Sequence, residues 1–193
     1  MSVWLVLVLV FLVAFGPIMW LRPSARDKRL ATLRAHGRTL GFGLDMKSLP
    51  RLDAAPEERV SAGGVARTAT ELLAVYRWVT SKKLEPFGSF RLLRGPTRDR
   101  LSRGAVEVAP GWYFEPDLSF PPDGWSWFAP QLTEVLSGWD DGIRALAFEP
   151  RAVAVYWREG PGADTAVLDQ IKQRIQHLEA QLRDAVEASA DGL

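Results

Sequence analysis

The 193-residue chain contains no cysteine, which excludes disulfide frameworks, thiolate metal sites, iron–sulfur clusters and cysteine nucleophiles. Histidine is nearly as scarce. His36 and His177 lie far apart, each in a stretch that reads as polar helix, so a histidine-rich metal centre is not expected. No phosphate-binding loop, dinucleotide fingerprint or nucleophile motif occurs either. Net charge is only +1, which gives no global attraction toward nucleic acid or acidic partners. These absences point to a non-catalytic protein without a metal or cofactor.

What is present is unevenly distributed. Trp4 to Leu21 form an apolar run without a single charge. As a helix at about 1.5 Å per residue, the run reaches about 27 Å, close to the hydrocarbon thickness of a bilayer. Trp4 and Trp20 stand at its two ends, where an indole favours the wet interface. Met1, Ser2 and Val3 carry no positive charge and no small-x-small cleavage site follows, so a retained transmembrane anchor over 1–21 is expected rather than a cleaved signal. Arg22 to Arg38 then carries +5 while the rest of the chain sums to −4. Arg22, Arg26, Lys28 and Arg29 follow the span and nothing basic precedes it, so the C-terminal side is expected in the cytoplasm and the N-terminus outside. Ser24 and Asp27 form a reciprocal capping pair that opens a second, basic helix over 22–41. Its Arg26, Lys28 and Arg29, with Arg91 and Arg94 further on, are candidate contacts for anionic lipid; the other reading is a solvated arginine surface.

The apolar span ending in Leu21-Arg22-Pro23, followed by Arg26-Asp27-Lys28-Arg29 and a polar helix, resembles the N-terminus of the YajC family, accessory subunits of the bacterial preprotein translocase. The resemblance covers about the first 40 residues. It implies a single-pass protein of the bacterial inner membrane that assists a larger membrane complex. That family continues with a glycine-rich β domain introduced by a Gly-Asp-x-Val pattern, and no such pattern follows the helix here.

Beyond the helix, 42–64 reads as a short strand (Phe42–Leu49) followed by an Ala/Pro/Glu/Gly-rich linker that suggests a hinge. An α+β domain is expected over 65–160. Leu72–Val79 and Phe87–Leu93 read as strands of a hairpin-like pair, and Pro130–Ser137 as two helical turns. Ile143–Phe148 and Ala152–Trp157 read as a β-hairpin around Glu149-Pro150-Arg151, turned in by Asp141-Gly142. From 161 to 193 one long amphipathic helix is expected, with Leu168, Ile171, Ile175, Leu178 and Leu182 in an a/d seam. So narrow a seam suits a coiled coil with a second copy or a partner; the other reading is that it covers the domain's own sheet.

Two further features bear on function. The carboxylate pairs Glu115/Asp117 and Asp140/Asp141 lie beside Pro or Gly, which marks them as turn residues rather than an acid–base pair. Trp112, Tyr113, Phe114, Phe120, Trp125, Trp127 and Phe128 crowd into a proline-rich segment. They form either a docking surface, led by Trp112, Trp125, Trp127 and Phe128, or the plug of a small core. The expected fold class is thus α+β, a single transmembrane helix joined to a small soluble domain with an antiparallel sheet and a long C-terminal helix. The expected function is to bind or position a partner protein. The alternative is a membrane-surface enzyme or a sensor for a lipid-linked or small anionic ligand.

Overall fold

The computed structural model describes residues 3–4, 11, 23–81, 83, 89–95, 106–115 and 132–190. Their apolar residues gather along seven strands: β1 (Gly43–Pro50), β2 (Thr70–Val79), β3 (Phe90–Arg94), β4 (Glu107–Ala109), β5 (Trp112–Phe114), β6 (Ile143–Glu149) and β7 (Ala152–Trp157). All pair antiparallel in one sheet of order β1-β2-β7-β6-β3-β5-β4. Because the side-chain period of a strand is two, the central strands β2, β3, β6 and β7 each feed two cores. In β2, Ala74 and Tyr76 join the larger cluster on the helix-bearing face, whereas Leu73 and Val75 join a smaller one on the far face.

Helix α1 (Ala25–Thr39) begins at the Ser24/Asp27 capping box and passes into Gly41, whose φ of +96° is left-handed and suits glycine. Gly37 lets α1 approach the sheet: a Cβ there would lie 2.7 Å from the Tyr76 ring. Helix α2 (Thr165–Ala190) is capped by Asp164, which accepts from the Val167 amide at 3.0 Å. It buries Leu168, Ile171, Ile175 and Leu178 against the sheet. Burial of each such side chain stabilises the fold by roughly 1.5–3 kcal/mol.

The structure corrects several expectations. The anchor expected over 1–21 falls mostly outside the described residues; only Val3, Trp4 and Phe11 are placed, helical and exposed, and Trp20 and Arg22 are not among them. Among the described residues no helix is long and apolar enough to cross a membrane. Helix α2 has the length, but Asp169, Lys172, Arg174 and Glu179 make it too polar. The single-pass fold class and the inner-membrane topology are therefore replaced by an α+β domain with a seven-stranded antiparallel sheet.

The β6–β7 hairpin is present as expected, but β2 and β3 are not a pair. Strand β2 lies between β1 and β7, and β3 between β6 and β5, because strands β6 and β7 insert between them. Nor is 52–64 a free linker. It holds a 3-10 turn (Pro56–Arg59) and an isolated bridge from Val60 to Ala66, and Leu52 packs against the far-face cluster.

Candidate functional site

Those aromatic and seam candidates that lie among the described residues are spent on the core. Trp112 is 2% exposed, and its ring lies under the Arg94 guanidinium at 5.8 Å. Leu168, Ile171, Ile175 and Leu178 are equally buried, so the heptad-like seam faces this chain's own sheet and is no free surface for a coiled-coil partner. The wide apolar face of the sheet outcompetes a second helix because it removes more of each side chain from water. Trp125, Trp127 and Phe128 lie outside the described residues, as does the side chain of Leu182.

The arginine candidates divide by the alternation of β3. Arg91 donates to both oxygens of Glu115 at 2.8 Å and stacks over Tyr156 at 5.4 Å. Arg94 points the other way, to the Trp139 and Asp140 carbonyls and to Asp141. Asp140 in turn accepts from the Gly142 amide at 2.8 Å, a turn contact. Among the described residues both arginines are engaged within the chain, Arg91 by Glu115 and Arg94 by Asp141 and two carbonyls.

Arg26 and Arg29 do line an open cleft of about 590 Å³ between α1 and the β7–α2 loop, with Arg158, Glu159, Gly160 and Pro161. Most of its charge is already engaged. Arg29 donates to the Gly160 and Pro161 carbonyls, and Arg158 to Glu71. Glu159, with 5% of its side chain exposed, accepts from Arg34 Nε at 3.0 Å and from the Tyr76 hydroxyl at 2.7 Å. Burial, reinforced by that donated hydrogen bond, raises the Tyr76 phenol well above its ordinary range. Lys28 is exposed on α1. The cluster is a strut holding α1 on the sheet. His36, in the polar helix that the sequence indicates, adds a second strut at 3.0 Å from Asp169 of α2.

A third strut links β2 to α2. Glu179 accepts from the Ser81 hydroxyl and amide and from the Trp78 indole. Burial alone would raise its carboxyl pKa, but these donors together hold it below the ordinary value.

All three struts support one margin of the sheet, where β1 is the outermost strand. Each of its eight residues is in register with β2, and among the described residues nothing pairs with its outer side. The Arg51 amide donates inward to Ala69 at 2.8 Å. By the alternation of an antiparallel ladder, Leu44, Met46 and Ser48 therefore turn their amides and carbonyls outward. The Met46 amide confirms this: it takes no ladder partner and donates to its neighbour's Asp45 Oδ1 at 2.8 Å. Pro50, without an N–H, ends the row. Exposed apolar surface flanks it, with Met46 at 42% and Leu72 at 61%. This edge carried no motif in the sequence; an exposed strand among seven is identified only by the strand order.

No protein-family model, curated protein or solved structure matches the chain, so the functional reading rests on the geometry just described.

Proposed function

We propose that the chain is a non-catalytic association module that uses strand β1 to pair with an extended segment of a protein partner. The observation that carries this reading is the eight-residue regular edge with outward amides and carbonyls at Leu44, Met46 and Ser48. Strand addition at such an edge draws affinity from main-chain hydrogen bonds and specificity from alternate side chains. Among the described residues, a buried aromatic core and intramolecular ion pairs favour binding over catalysis. A small-anion sensor has less support, since in the arginine-lined cleft Arg29 and Arg158 are hydrogen-bonded within the chain and Arg26 lies in the field of Asp27.

The test is selection of linear peptides against the full chain, with amide exchange as the readout. Bound peptides are expected to slow exchange at Leu44, Met46 and Ser48, and Met46→Pro to abolish that effect, because it removes an outward donor and no bond of the β1–β2 ladder. Peptides that bind equally well to Met46→Pro and leave these amides unprotected refute the reading.

A further inference from the structure

Strand β1 has a charge pattern that becomes its own complement when the strand is reversed: in Asp45-Met46-Lys47 an acid and a base stand at equal distances on either side of an exposed methionine. Both charged side chains extend from the far face of the sheet and line the same open hollow of about 500 Å³, beside Arg77 and Glu149. Arg77 and Glu149 pair with each other. No ion pair involves Asp45 or Lys47 among the described residues.

From this we infer that the occupant of the β1 edge is the β1 edge of a second copy of the chain, antiparallel, with a two-fold axis through Met46. The inference rests on the strand-addition reading above and names its partner. In this register Leu44 exchanges both main-chain bonds with Ser48 of the second copy, and Met46 exchanges them with Met46. Asp45 then lies opposite Lys47 of the second copy at a non-hydrogen-bonded position, where Cα atoms approach to about 4.5 Å and side chains meet closely. The same salt bridge recurs on the other side of the axis.

The neighbouring registers are disfavoured. Moving the axis one residue back sets Asp45 against Asp45, and one residue forward sets Lys47 against Lys47; directly opposed like charges destabilise a sheet. The contacts are self-complementary, as a two-fold interface requires. Met46 is covered by its mate on the helix-bearing face, beside exposed Leu72. The Asp45–Met46 amide contact opens as Asp45 turns to Lys47 of the second copy, which frees the Met46 amide for the ladder.

Charge exchange and cross-linking test the register together. In sedimentation of the full chain, Asp45→Lys and Lys47→Asp are each expected to weaken self-association by at least about tenfold, since both cross-strand pairs become repulsive. Mixing the two variants is expected to restore association as a heterodimer, because every pair across the axis is then attractive. Unchanged thermal unfolding of the exposed single variants identifies the effect as one on association.

The chain has no native cysteine, so single cysteines report contact without background. Met46→Cys is expected to cross-link on mild oxidation, the Cα separation of a hydrogen-bonded pair, about 5.5 Å, lying within disulfide reach. Ser48→Cys is expected not to, its symmetry mate lying four residues away along the strand, about 13 Å. A chain that sediments as a monomer, a variant mixture no better than either variant alone, or equal cross-linking at 46 and 48 overturns the inference. Peptide protection of Leu44, Met46 and Ser48 in a monomeric chain rejects self-pairing and leaves strand addition standing. Loss of both results removes both readings.

Discussion

The two edges of the sheet are built differently. Strand β4 spans three residues and its pairing with β5 is interrupted by a register shift between Glu107 and Ala109. A short, bulged edge offers little to an incoming strand and is a common protection against unwanted pairing. Strand β1 spans eight residues in unbroken register, and α1, α2 and the Glu159, Asp169 and Glu179 contacts brace the strand beside it. One margin of this molecule is thus closed by its own irregularity while the other is kept straight from beneath. That asymmetry is the basis for assigning association to β1.

The helical support is the place where the comparison breaks most severely. Ile175→Glu puts a charge at a site with no exposed surface and is expected to cost about 4 kcal/mol or more in urea unfolding. If that variant keeps its stability and loses only an oligomer, the α2 seam is intermolecular and the packing against the sheet is wrong. On the β4 side, Phe148 stacks on Phe90 with centroids 4.5 Å apart. Phe148→Ala is expected to cost about 3–5 kcal/mol and to speed amide exchange in β3 and β5 before it affects β1. Equal acceleration at both margins would show that the two halves are not separable.

A smaller change sharpens the β1 side alone. Gly37→Val drives a Cβ to 2.7 Å from the Tyr76 ring and is expected to destabilise by about 1–3 kcal/mol through overpacking, with exchange rising first at β1 and α1. The smallest effect is electrostatic. Tyr76→Phe removes the donor to Glu159 and is expected to cost about 1 kcal/mol at neutral pH. Because the folded phenol titrates above its ordinary value, the contribution of Tyr76 is fully present below about pH 10 and is lost as pH rises beyond it. The stability difference between wild type and Tyr76→Phe should therefore shrink above about pH 10. A constant difference across that range would show that the phenol is not held protonated by the fold.

Much of the local structure was legible in the chain. The Ser24/Asp27 capping box, the β6–β7 hairpin and the long helix after Asp164 follow from short-range chemistry, since a cap, a turn and a 3.6-residue period all lie within a few residues. Strands β4 and β5 were missed. Three-residue strands around Gly111 carry almost no periodicity, and an aromatic-rich stretch suggests a surface as readily as a core. The candidate site was least legible. Met46 reads as an ordinary strand residue, and only the order of seven strands places it on an outer edge.

By itself the sequence determined the caps, the hairpin and the absence of thiol chemistry, because each depends on residue identity or on neighbours close along the chain. Only the tertiary structure decided that β2 and β3 lie apart, that the α2 seam is buried within the chain, and that β1 is left with an open side. These are outcomes of competition between distant segments for the same apolar surface, and local spacing does not record which segment wins.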